Sequence, residues 1–242
     1  MSYPKYIPIF TDWTEDELEK YNVKYKFSTY EEFFGQERIT PQFDLNIFDR
    51  NLVQKRDKQK VETINFFMHH NAQVIEEDAL TDYAFAILWF TGYIATPRHT
   101  FRNVVCKYGY QGTSSYIKYN LMLQCGYKTV LFVVVTDSVL DGVSKVLAGA
   151  LSLSTQYHER RHDYPVFPAI VLVDKIAILA KVTIPDGADV LIGNNVRPTD
   201  TTLIELYSPI DIYTSSDRYY RNEELTEFLG AMEAFKRFII KE

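Results

Sequence analysis

The residues best suited by type to do chemistry are histidines flanked by acids, and the sharpest pattern among them is His158-Glu159-Arg160-Arg161-His162. It matches H-E-x-x-H: on a helix, histidines four apart share a face and can both reach a zinc, while the Glu activates water. The context argues against that use. The motif ends a helical pattern, is filled by two arginines, and runs into Asp163-Tyr164-Pro165. Basic residues and His are what the last turn of a helix favours anyway, and no downstream segment supplies an obvious third ligand, with Asp174 or Glu205 as the candidates. His69-His70 is a second pair, but adjacent residues on a helix point about 100° apart and share a metal badly. Lys107-Tyr108-Gly109 formally matches the X-Tyr-Gly tripeptide of self-cyclising fluorescent proteins, yet it is predicted at a hairpin turn rather than inside a closed barrel. The chain has no phosphate-binding G-x-x-x-x-G-K-[ST] loop, no G-x-S-x-G elbow and no dinucleotide fingerprint. Ser114-Ser115 and Ser215-Ser216 fall in polar stretches with no His nearby to activate them.

The elements that would position such residues can be read from periodicity. Thr14 to Glu17 forms a capping-box pattern opening a short helix, and Ser28 to Glu31 repeats it. A helix is expected from about Leu52 to His70, so residues 1–75 read as an N-terminal helical elaboration. The core begins at Glu76 with a largely buried helix carrying Leu80, Tyr83, Ala84, Ile87 and Leu88, ended by Gly92. Three strand-like runs follow, at Thr100–Lys107, Tyr116–Gln124 and Lys128–Thr136, joined by short Gly-containing links that predict hairpins. Asp137–His158 reads as a helix, and Val166–Asp174 as a strand buried on both sides. Strand, crossover helix and strand predict a parallel pair with a right-handed connection. Ile176–Ile184, short β pieces near Asp189–Ile192 and Thr202–Tyr207, and a helix over about 222–240 complete a single domain.

A helix, a three-stranded meander, a crossover helix and a parallel strand give the αβββαβ order. In that order Glu76 to Asp174 resembles the PD-(D/E)xK nuclease-like fold. The chain to its terminal helix also resembles uncharacterised fungal proteins carrying such a domain. The resemblance implies an α/β fold with a mixed sheet, an Asp on the second strand, and Glu-x-Lys on the third. The acids would hold a divalent metal and the lysine would orient the attacking water. Here Asn120 stands at the Asp position, Thr136 at the Glu and Ser138 at the Lys. A neutral amide and two hydroxyls are poor magnesium ligands, so the resemblance implies a degenerate site and lost nuclease activity. A displaced acidic cluster of Asp82, Asp137 and Asp141 is the rival reading. The plainer one has Asp137 cap the crossover helix and Asp141 sit in its solvated first turn.

Composition narrows the remaining classes. The chain has 242 residues, 46% of them hydrophobic, and a formal net charge of −6, a globular composition that weighs against general phosphate-backbone binding. Met1–Phe10 contains Pro4 and Pro8 and lacks a basic flank, so no secretory signal is expected. Apolar runs such as Val130–Val135 are far short of the ~20 residues of a membrane helix. Cys106 and Cys125 read as free thiols, no Asn is followed by x-Ser or x-Thr, and both agree with a cytoplasmic address. The aromatic weight is high, with 18 Tyr and 16 Phe. These observations predict a non-catalytic binding protein, with no metal or other cofactor but a non-covalent apolar ligand such as a lipid-like metabolite or polyene pigment. The pocket is expected between Tyr83 and Trp89 on the first core helix and Tyr116, Lys118, Asn120 and Thr136 on the second and third strands. The alternatives are a metal-dependent nuclease or hydrolase using displaced acids, and a ligand-free homo-oligomeric interaction module.

Overall fold

Two capping boxes open the described part of the chain. The computed structural model describes residues 13–37, 77–95, 97–110, 112–159, 166–173, 176–208 and 222–239. Thr14 accepts from the Glu17 N–H while the Glu17 carboxylate accepts from the Thr14 N–H, fixing α1 (Glu15–Lys20). Thr29 and Glu32 do the same for α2 (Tyr30–Phe34), one residue later than the Ser28–Glu31 pattern implied. Between them Val23–Phe27 forms β1, a strand within the expected N-terminal helical elaboration. Its alternation of Val23, Tyr25 and Phe27 with two lysines is the period of a strand, compressed into a stretch short enough to pass for a loop. The expected helix over 52–70, His69-His70 and the expected core start at Glu76 lie outside the described residues.

The middle of the chain follows the expected order. α3 (Glu77–Phe90) precedes β2 (Arg98–Tyr110), β3 (Thr113–Cys125) and β4 (Lys128–Thr136), then α4 (Val139–Glu159) and β5 (Val166–Val173). The β2–β3 and β3–β4 pairs are antiparallel and β4–β5 is parallel, with α4 as the crossover. β6 (Ile176–Thr183) returns antiparallel to β5. Ala188–Gly193 is a short helix, α5, and not the expected β piece: its buried residues Ala188 and Ile192 are four apart and face one side. β7 (Thr202–Tyr207) runs antiparallel to β6 and parallel to β1, and α6 (Asn222–Ile239) closes the fold. The result is an α/β fold around one mixed seven-stranded sheet in the order β1-β7-β6-β5-β4-β3-β2.

Helices cover both faces, which is why β4, β5 and β6 are near-continuous apolar runs. On one face α2, α3 and α6 pack Phe33, Tyr83, Leu88, Phe228 and Phe235 over Leu121, Val133 and Leu179. On the other, α1, α4 and α5 pack Leu18, Val146, Leu151 and Ile192 over Tyr119, Phe132, Val134 and Ile178. Along β4, Val133 and Val135 face the α3 layer while Phe132 and Val134 face the α4 layer. Cys106 and Cys125 are free thiols. Among the described residues no helix is long and apolar enough to cross a membrane.

The β2–β3 hairpin outruns β4. Strand β3 pairs with β4 only over Leu121–Cys125, so its first half is paired with β2 alone. That half curls over α4, where Tyr119 Oη donates to Gly149 O at 2.8 Å and Ser152 Oγ to Lys107 O at 3.0 Å. At its tip the Gly112 N–H donates to Gly193 O at 2.7 Å, and a Cβ on Gly109 would lie 3.0 Å from the Gly193 Cα. Lys107-Tyr108-Gly109 therefore lies within β2, not in the turn where it was expected.

Candidate functional site

The carboxyl end of β4 is where β3 leaves it and where α4 turns back toward β5. Such a point, outside the carboxyl ends of parallel strands, is where open α/β sheets place their sites. Asn120 occupies the divergence and is 3% exposed. Its Oδ1 accepts the Val135 N–H at 2.8 Å, standing in for the lost ladder partner. Its Nδ2 donates to Glu77 Oε1 at 2.7 Å and to Thr81 Oγ1 at 3.3 Å. Lys118, two residues earlier on the strand, places Nζ 2.8 Å from the same Glu77 oxygen. Glu77 is the first residue of α3, so the helix enters the site with its acidic end.

The second half of the site comes from α4. Ser138 caps that helix, its Oγ accepting the Asp141 N–H at 3.2 Å, so the cap is Ser138 and not the exposed Asp137. Thr136, buried at the end of β4, donates its hydroxyl to Asp141 Oδ2. Lys145, one turn on, places Nζ 2.8 Å from Asp141 Oδ2 and donates to Val135 O at 2.8 Å. Gly142 permits this docking, because a Cβ there would sit 2.5 Å from Val171 Cγ1. A polar seam thus threads the sheet from one helical layer to the other: Glu77, Asn120, the Val135 peptide, Lys145, Asp141 and Thr136.

The seam is electrically closed. Burial by itself would raise the Glu77 carboxyl. The hydrogen bonds from Lys118 and Asn120, with the charges of Lys118 and Lys145, outweigh burial and hold it below its usual value. Two carboxylates meet two ammonium groups, and both ends of the Asn120 amide are engaged. Among the described residues no group of three or more His, Cys, Asp or Glu side chains could hold a metal.

Of the six residues expected to line a pocket, the structure brings Lys118, Asn120 and Thr136 into the seam. They do not share a floor: Asn120 bonds toward α3, while Thr136 bonds toward α4 on the opposite face of the sheet. Tyr116 is half-buried nearer the hairpin tip. Tyr83 is 0% exposed and belongs to the core beneath α3. Trp89 is half-buried and lies about 18 Å along the helix from Glu77 at 1.5 Å per residue. Between α3 and the sheet, Ala84, Leu88, Val133, Ile170, Leu172 and Met232 leave a void of about 10 Å³, the size of a single water probe at most. There α3 packs directly onto the strands.

The displaced acids do not converge either. Asp82 pairs with Arg102 of β2 at 2.5 Å, Asp137 is exposed, and Asp141 is held by Lys145 and Thr136. Of the zinc-protease pattern, Glu159 ends α4, while residues 160–162 and Asp174 lie outside the described residues. Glu205 pairs with Lys26 at 3.3 Å. Glu77 and Lys145 escaped the sequence argument. The Asp141–Lys145 spacing of four on one helix was the available signal, whereas nothing local marks Glu77 as the partner of Asn120. No family model matches the chain, and its sequence matches no curated protein.

Proposed function

We propose that this chain is a non-catalytic binding protein on a degenerate nuclease-like fold, its former metal centre converted into a structural polar seam. One observation carries the reading: Glu77 and Asp141, the two carboxylates of the seam, are each paired with a lysine, and Asn120 satisfies Glu77 and Val135 together. Binding a divalent cation there would require breaking both ion pairs and leaving two ammonium groups beside the metal. A small apolar or aromatic ligand, such as a lipid-like metabolite or pigment, remains the ligand class that the aromatic composition favours, at a place other than the α3–sheet interface.

The test uses the full chain purified from its natural source. Supercoiled DNA, single-stranded DNA and RNA are incubated with it in Mg²⁺ and in Mn²⁺, and no cleavage above that of a Glu77→Ala, Asp141→Ala double variant is expected. Cleavage that this double variant abolishes would replace the reading with its rival, a hydrolase using displaced acids. Native mass and the absorption spectrum of the same sample read the ligand: excess mass or a visible band supports a bound small molecule, and a bare chain in a homo-oligomer supports an interaction module.

A further inference from the structure

At the β1 end of the sheet, a groove of about 550 Å³ lies between α1, β1 and the segment that links α5 to β7. That volume is in the range of ordinary small-molecule sites. Hydrogen bonds from the α1–β1 corner hold the linking segment in place. Asn22, in the left-handed region at φ 56°, donates through Nδ2 to Thr199 O at 3.0 Å and accepts from Thr201 Oγ1 at 3.1 Å. Lys20 Nζ and Tyr21 Oη both donate to Asn195 Oδ1, at 2.9 and 2.6 Å. The backbone around Arg197 is thus tied to the corner on either side, and the groove is preformed. Its floor is apolar, with Leu18 and Val23 only 3% and 5% exposed. Its rim is charged. Glu15 and Glu19 stand four apart on α1, and Lys24 and Arg197 come from β1 and the linking segment. All four are exposed, and among the described residues none of them is in an ion pair. Like charges four apart on a helix repel, and the last turn, where Glu19 sits, favours cations instead. Nothing in α1 itself therefore accounts for this pair of carboxylates, whereas a ligand cation between them would relieve both. An anion on the same ligand would do as much for Arg197 and Lys24.

We infer that this groove binds a small zwitterion with an apolar body, its ammonium group toward Glu15 and Glu19, its carboxylate toward Arg197 and Lys24, and its body on Leu18 and Val23. The inference rests on the reading of the chain as a binding protein, and gives the ligand a place and a charge pattern. The experiment is isothermal titration of the full chain with two probes of this chemistry, the dipeptide phenylalanyl-leucine and ω-aminooctanoic acid, which separate a peptide-like from a lipid-like source. Each is compared with its N-acetylated and its amidated form. At least one zwitterion should bind about tenfold more tightly than both of its blocked forms. Arg197→Glu should remove the preference over the amidated form alone, and Glu19→Lys the preference over the acetylated form alone. Both side chains are exposed and unpaired, so urea unfolding of the variants should match that of the native chain. Zwitterions that bind no better than their blocked forms, or preferences that survive both substitutions, would overturn the proposal. Native mass tells this failure from that of the wider reading. Excess mass that persists in the Arg197→Glu, Glu19→Lys double variant would leave a binding protein with its ligand elsewhere, while a bare native chain that takes neither probe would overturn both.

Discussion

Replacing Asn120 by Asp tests the seam with a change of one functional group. The new carboxylate can still accept the Val135 N–H, but the amide donor that holds Glu77 at 2.7 Å is gone. Two carboxylates then face each other in a site where the native residue is 3% exposed. Unit charges about 4 Å apart in an effective dielectric near 20 repel by about 4 kcal/mol. Lys118, already on Glu77, offsets part of this, leaving about 2–4 kcal/mol at pH 8. The pair relieves the repulsion by binding a proton, so one carboxyl titrates well above the unfolded value near 4. The native state then holds more protons than the unfolded one, and stability falls as pH rises through that window. Urea unfolding of Asn120→Asp against the native chain should show the full deficit at pH 8, shrinking steadily toward pH 4. A variant as stable as the native chain at pH 8, or a deficit independent of pH, would refute the Glu77–Asn120 contact.

Three further changes probe the same framework. Glu77 titrates below its usual value of 4.5, so its contribution is present above that pH and is lost as pH falls through the folded value. Its side chain is 52% exposed, so screening should hold the effect below about 1 kcal/mol, seen as a slightly flatter acid limb in Glu77→Gln. Gly142→Ala would force a Cβ to 2.5 Å from Val171 Cγ1 and should cost about 1–3 kcal/mol in urea unfolding. Lys181 donates to the Phe33 carbonyl, with Nζ 4.3 Å from the Phe33 ring and 4.4 Å from that of Phe238. Lys181→Met, which keeps the stem, should still cost about 1–3 kcal/mol and raise hydrogen exchange in α2 first.

Elements with strong periodicity were legible in the sequence and their meetings were not. The continuous apolar run of β5, the hairpin glycines and the long pattern of α4 each carry their assignment locally, and the parallel β4–β5 pair follows from the crossover. β1 and α5 are five and six residues long, too short for a period to rise above its neighbours. At the site, Asn120 and Thr136 are the polar residues at the strand ends. Their placement on one floor failed because β3 and β4 separate at Asn120, and the parity of β4 turns Thr136 toward α4. Tyr83 faces packing partners set by α6 and the sheet, which no local pattern reports.

The seam itself is tested most directly by Mn²⁺ binding to the native chain, followed by isothermal titration and by the free-ion electron paramagnetic resonance signal. With Glu77 held by Lys118 and Asn120, and Asp141 by Lys145 and Thr136, the expected result is no saturable site at millimolar metal. Stoichiometric binding that disappears in both Glu77→Ala and Asp141→Ala would show that the pairs open to a cation, and would contradict the account.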